Sequence, residues 1–320
     1  MSKTTVVIPN YNGIKYLENC LSSLLEGTVI PHVIVVDNAS SDGSREIVEE
    51  KFGQVQLVTF EENTGFCKAV NAGIKAADTE YVMLLNNDTV ADREMIEHLE
   101  AALDGAPYAF AVAAKMINLY APEKLDDAGD FYSALGWAYA RGKDKPVTCY
   151  DEPGRVFSAC AGAALYRRSV FEEIGYFDEN HFAYLEDMDI GYRANIYGWQ
   201  NIYEPKAKVF HAGSGVSGSR HNEFKVRLSS RNSVYLIWKN MPLLQFVLNL
   251  PFILAGYLIK TLFFAKKGLG KTYVKGVGAG VKLSLSKEGR KNKVKFSFRH
   301  LKNYAWIQWQ LWKGMVLRFF

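Results

Sequence analysis

"YVMLLNNDT", residues 81–89, runs through five apolar residues and stops at two amides and a carboxylate. An unbroken apolar run of that length reads as a strand buried on both faces, so Asn86, Asn87 and Asp88 stand where the strand leaves the core. Working outward, the N-terminal half alternates. "TTVVIP" (4–9), "VIVVD" (33–37) and "VQLVTF" (55–60) read as further strands, with helical patterns over 12–26, 42–52 and 65–77. This alternation predicts an α/β fold, a parallel sheet with helices on both faces. Ligands of such sheets sit beyond the carboxyl ends of the strands. Those ends are polar here: Asn10 and Tyr11, Asp37 and Asn38, Glu62 and Asn63, and Asn86 to Asp88.

The chain has 320 residues, 48% of them hydrophobic, enough for one full-sized core with roughly a hundred residues to spare. Cys20, Cys67, Cys149 and Cys160 show no C-x-x-C spacing, which argues against a zinc ribbon or a disulfide framework and for a reduced, cytosolic setting. No basic segment followed by an apolar one marks a secretory signal at the N-terminus. The net charge of +4 hides an asymmetry: from Lys266 onward there are 14 basic residues and one acid, Glu288. Two regions with different partners are implied, a catalytic domain over 1–222 and a helical, basic C-terminal region over 223–320.

Ahead of the basic tail stands "LLQFVLNLPFILAGYLIKTLFFA" (243–265). It is long enough to span a bilayer, yet it contains Gln245, Asn249, Pro251, Gly256 and Lys260, and a crossing would set the basic tail against the positive-inside tendency. The expectation is a set of helices lying in the cytosolic interface, or a re-entrant pair broken at Pro251, with the tail on anionic headgroups. A buried core helix pair is the alternative. No nucleic-acid-binding motif accompanies the tail, so nucleic acid is not expected as a partner.

The dinucleotide fingerprint is absent after the first strand, where "IPNYNG" stands, and "KKGLGKT" (266–272) lacks the first glycine of a P-loop. "VVIPNYNG", "VIVVDNASSDGS", "ENTGFCKAVNAGI", "LLNNDT" and "FAYLEDMDIGYRANIYGW" instead come in an order that resembles family 2 glycosyltransferases. The resemblance covers about residues 4 to 215 and is greatest to the bacterial rhamnosyltransferase-like members. It implies a GT-A fold, a nucleotide-diphosphate sugar donor (dTDP- or UDP-linked), a Mg²⁺ or Mn²⁺ ion, and a glycan acceptor, lipid-linked, at the cytosolic membrane surface.

The resemblance implies roles residue by residue. Asp88 falls at the metal-binding acid of the family's D-x-D motif, whose first two positions are here Asn86 and Asn87, so the site carries less charge than usual. The middle position, Asn87, would reach the ribose. On the residues alone, "NND" could equally cap a helix beginning near Asp92. His211, in "VFHAGSG", is a candidate second metal ligand. Asp37 could accept the imide hydrogen of uracil or thymine, or only form an Asx-turn, while Pro9 and Tyr11 would wall the base. Asn63, Gly65 and Lys68 would lie near the nucleotide, with a solvated face as the plain reading of Lys68. The E-D motif places the catalytic base at Asp187 with Glu186 beside the acceptor. Asp189 and Arg193 read as an i, i+4 pair. Arg167 is a candidate for an acceptor phosphate and Trp199 for an acceptor sugar platform, each with a packing role as the alternative. The implied chemistry is an inverting transfer. Its rivals are a transferase charging a polyprenyl phosphate and a non-catalytic scaffold of the same fold.

Overall fold

Val6, Val7 and Ile8 are completely buried although they alternate in direction along β1 (Thr4–Asn10). That requires cover on both faces of the sheet, and the helices provide it. The computed structural model describes residues 2–213 and 221–317. After β1 come α1 (Ile14–Leu25), β2 (His32–Asp37), α2 (Ser44–Lys51), β3 (Gln56–Thr59), α3 (Phe66–Ala76) and β4 (Tyr81–Leu85), each within a few residues of its expected span. β1 pairs in parallel with β2 and β4, and β2 with β3, so all four carboxyl ends reach one edge.

The second half of the sheet departs from pure alternation. β5 (Thr89–Ala91) and α4 (Met95–Asp104) lead to β6 (Ala109–Asn118), β7 (Leu125–Asp127), the hairpin strands β8 (Asp130–Tyr132) and β9 (Ala138–Ala140), and β10 (Gly154–Val156). Then follow β11 (Ala163–Arg167), α5 (Val170–Ile174), α6 (Glu186–Tyr197) and β12 (Gln200–His211). The sheet order is β10-β12-β6-β11-β4-β1-β2-β3, with β11 antiparallel to both β4 and β6 and β10 antiparallel to β12. β12 runs parallel to β6 and brings its last residue, His211, to the edge where β4 ends.

The C-terminal region is helical: α7 (Glu223–Asn240), α8 (Leu243–Lys266), α9 (Gly270–Leu285), α10 (Lys287–Lys291) and α11 (Leu301–Leu317). The Asn222 side chain caps α7 by accepting from the Lys225 amide. Leu236, Ile253, Ile307 and Leu311 from these helices share one apolar cluster with Tyr132, Phe157, Met188 and Tyr192 of the sheet domain. α8 corrects two expectations. It is one continuous helix with Pro251 inside it, not a broken pair, and it is not a core helix, since its apolar window is only 17% buried. The proline is tolerated because the carbonyl it leaves free belongs to Val247, on the outward face.

Candidate active site

The strand ends open into a cleft of about 1070 Å³. Pro9, Tyr11, Asn63 and Gly65 line one part of it, Asn86, Asn87, Asp88 and His211 the centre, and Glu186 and Asp187 the opposite wall. Amides tie the strand ends together. Asn87 Nδ2 donates to Asn10 Oδ1 (2.7 Å), and Asn10 Nδ2 donates to Asp37 Oδ1 (2.9 Å). Gly13 must be glycine for this, because a Cβ there would fall on the Asn87 amide. Gly65, with φ +86°, has the Phe182 ring 2.5 Å from where a Cβ would stand.

"NND" does not cap a helix: β5 follows it, and α4 begins only at Met95 without a side-chain cap. Asp88 Oδ1 lies 3.1 Å from His211 Nε2, and His211 Nδ1 lies 2.7 Å from Asp126 Oδ2. Lys143 also donates to Asp126. Burial disfavours a charged His211, but its hydrogen bonds to Asp126 and Asp88 outweigh that and raise its pKa to about 9. Asp88 and His211 are close enough to share one divalent ion that displaces the proton between them, and a carboxylate with a neutral imidazole is a donor set that Mn²⁺ or Mg²⁺ accepts. The residues therefore fit the group.

Glu186 and Asp187 open α6. Among the described residues Glu186 Oε2 is buried with no hydrogen-bond partner, and burial, then the neighbouring Asp187 charge, pushes Glu186 up to about 8. Burial also raises Asp187, although the Met188 and Ala161 amides oppose it. Asp127, Asp130 and Cys160, with ligand atoms all within 4.8 Å of one another, stand beside them. Burial, with the Asp126 charge, raises Asp127 to about 7, and burial, with the Asp127 charge, raises Asp130 well above the carboxylate range, so this patch holds protons at neutral pH. "LDDAGD" (125–130), with three acids in six residues, is the sequence signal for Asp126, Asp127 and Asp130, and it is absent from the expectations above.

The loop ahead of α6 is strained: Phe182, Tyr184 and Leu185 have φ of 62°, 72° and 66°. α7 holds it in place. Asn232 Nδ2 reaches the carbonyls of His181, Ala183 and Tyr184 at 2.7–2.9 Å, and Arg231 Nη2 those of Asn180 and His181. One turn into α6, Asp189 pairs with Arg193, as its spacing predicts, and also with Lys239 Nζ at 2.8 Å.

Four expected residues lie outside the cleft lining. Asp37 is buried, with its oxygens taken by Asn10 Nδ2 and the Ser40 amide, the turn reading of this residue; Asn38 lines the cleft instead. Lys68 is exposed, with Nζ 5.9 Å from the Phe60 ring. Arg167 pairs with Tyr81 at the opposite end of β4, where its guanidinium donates to the carbonyls of Leu103, Ala106 and Ala109. Trp199 follows the far end of α6, about 18 Å from the acids, and donates to Glu173. Both side chains are bound at the edge of the domain away from the cleft, because in an antiparallel strand and in a helix leaving the site the later residues travel away from it.

A sheet whose main strands β1–β4, β6 and β12 run parallel, with antiparallel β11 set among them and short antiparallel strands at its edges, and with helices on both faces, is the arrangement of the GT-A glycosyltransferase fold. The chain belongs to Glycosyl transferase family 2, whose sequence model matches residues 5–175. Among its relatives, an N-acetylglucosaminyl-diphospho-decaprenol L-rhamnosyltransferase of Mycobacterium tuberculosis is 28% identical, over 71% of this chain and 84% of its own length. The uncharacterized glycosyltransferase YwdF of Bacillus subtilis is 27% identical, over 72% and 85%. In fold the chain is similar to Staphylococcus aureus TarS 1-349 in complex with UDP-GlcNAc, with TM-score 0.61, 18% identity, and coverage of 97% of this chain and 89% of that one.

Proposed function

We propose that this chain is an inverting hexosyltransferase which moves a sugar, rhamnose from dTDP-rhamnose in the first instance, to a hydroxyl of a lipid-linked surface glycan at the cytosolic face of the membrane. The observation that carries this reading is the convergence in one cleft of the Asp88–His211 pair at 3.1 Å with Glu186 and Asp187. The rhamnose and the lipid diphosphate acceptor are supported by the mycobacterial relative's name.

Asp88 and His211 would hold a Mg²⁺ or Mn²⁺ ion, which when bound neutralises charge on the leaving diphosphate. Pro9 and Tyr11 flank the nucleotide base, and Asn63 and Gly65 close that end. Asp187 accepts the proton of the acceptor hydroxyl while that oxygen bonds to the anomeric carbon, and the carbon–oxygen bond to the diphosphate breaks with its electron pair. Glu186, protonated at neutral pH, donates a hydrogen bond to an acceptor oxygen and leaves Asp187 as the ionised member of the pair. The test is slow donor hydrolysis and donor binding by the purified chain across UDP-, dTDP- and GDP-sugars, with and without Mn²⁺ or Mg²⁺. Metal-dependent turnover of one donor is expected. Binding of no donor with either ion would refute the reading in favour of a non-catalytic scaffold.

A further inference from the structure

α8 is built inside out. The positions it turns toward the protein include Gln245, Asn249 and Gly256, whereas Leu243, Leu244, Leu254 and Leu258 are 77%, 80%, 61% and 60% exposed. A helix on a water-facing surface has the opposite arrangement. The inward polar groups satisfy one another: Tyr192 Oη donates to Gln245 Oε1 (2.6 Å), and Asn249 and Gln308 exchange two hydrogen bonds (2.8 and 2.9 Å). That pair locks α11 alongside α8. Trp312, one turn beyond Gln308, and its neighbour Trp309 are exposed on α11.

Charge selects what covers this face. From Lys266 to Leu317 there are 13 Lys or Arg against Glu288 alone. A second copy of the chain would bring the same excess of positive charge to the contact, whereas an anionic lipid surface complements it. Exposed tryptophans beside an apolar helix suit the headgroup boundary.

Tethering selects the orientation. α8, about 36 Å long, is fixed to the folded domain near its start by Gln245, in its middle by Trp137 Nε1 donating to the Gly256 carbonyl (3.3 Å), and near its end by Phe264 stacked on Tyr273 at 5.1 Å. A helix bound along its whole length to a polar domain cannot place its ends on opposite sides of a bilayer. The β8–β9 hairpin ties this face to the cleft. Trp137 rests on α8, Tyr139 Oη donates to the Gly314 carbonyl of α11 (2.6 Å), and Ala138 to Ala140 line the cleft.

We infer that the outward face of α8 and α11 binds an anionic lipid surface with α8 parallel to the membrane plane, and that the hairpin wall thereby holds the cleft at the headgroup layer. The surface stands on its own observations; only the lipid-linked acceptor that it serves rests on the proposed function.

The test uses the full chain with vesicles of equimolar phosphatidylcholine and phosphatidylglycerol, read by co-sedimentation and by tryptophan quenching with lipids brominated at shallow or deep acyl positions. Wild type should bind, with quenching strongest from the shallow bromines and reduced in a Trp309→Phe/Trp312→Phe variant. Leu244→Asp with Leu258→Asp should lower partitioning at least about 100-fold while donor hydrolysis in solution stays at the wild-type rate, which controls for folding. Unchanged partitioning of that variant, quenching strongest from deep bromines, or a wild-type dimer that these substitutions dissociate would each overturn the inference. Vesicle binding without hydrolysis of any donor would sink the transferase reading and leave the surface standing; hydrolysis without vesicle binding would do the reverse.

Discussion

Replacing Lys239 by Met tests how α6, the helix that carries the proposed base, is held. Lys239 Nζ lies 2.8 Å from Asp178 Oδ2 and 2.8 Å from Asp189 Oδ2, and all three side chains are buried. At an effective dielectric of about 20, each contact is worth roughly 6 kcal/mol of gross attraction. Desolvation of the three charges offsets much of that, but the offset is not returned when only the lysine goes, because both carboxylates stay buried. Asp189 keeps Arg193 and Asn240; Asp178 keeps the Tyr235 hydroxyl and Asn292. The expected loss is therefore about 3–5 kcal/mol, a large part of the roughly 5–15 kcal/mol that a folded domain has. Urea unfolding followed by far-UV circular dichroism measures it. Adding Asp178→Asn to the variant removes one uncompensated charge and should restore at least about 1 kcal/mol. A loss below about 1 kcal/mol for Lys239→Met, or no recovery in the double variant, would refute the idea that this lysine anchors α6 through its charge.

Asp187→Asn should lower turnover by about 10²- to 10⁴-fold with nucleotide affinity unchanged, whereas Asp88→Ala should weaken donor binding only when Mn²⁺ or Mg²⁺ is present; calorimetry with and without the ion separates them. Burial pulls His181 down to about 4, so between that value and its ordinary 6.5 the unfolded chain holds the extra proton and stability falls with pH. Relative to a His181→Phe variant, wild type should lose about 3 kcal/mol between pH 6.5 and 4 and nothing above 6.5. The comparison with the variant is needed because Glu186, raised to about 8, pulls in the opposite direction over the same range; parallel pH curves would exclude His181 as the cause. Arg167→Ala and Trp199→Ala should cost about 1–3 kcal/mol of stability and leave kcat/KM within about twofold, and a selective rise in acceptor KM would return either residue to the site.

The first half of the fold was legible because each strand is a short β-branched run between helical patterns, and a parallel sheet leaves its polar ends at one edge. That Asp88, Glu186 and Asp187 face one cleft was legible from the order of the motif blocks, since on the residues alone an acid at a strand end or a helix start also reads as a cap. Asp37 was legible only as far as its position at the strand end, because its side-chain direction depends on Asn10 and Ser40, which reach it from another strand and a turn. Arg167 and Trp199 show a different gap. Proximity in sequence to the E-D block suggested proximity in space, but β11 and α6 both run away from the cleft, and only the antiparallel pairing of β11 reveals it. Asp126, partner of His211, sits on a strand off the main path of the sheet, and no periodicity marks such a strand.

The three left-handed residues before α6, held by Asn232 and Arg231 of α7, bear on how this protein can be taken apart. A fragment ending where the family motifs end would keep every candidate donor-side and base residue, yet it would lack the hydrogen bonds that oppose about 1–3 kcal/mol of strain at each of those positions. Asp187 would lose its fixed aim. Any chimera that grafts this donor site onto another acceptor or targeting module must therefore make its junction after α7, not before it.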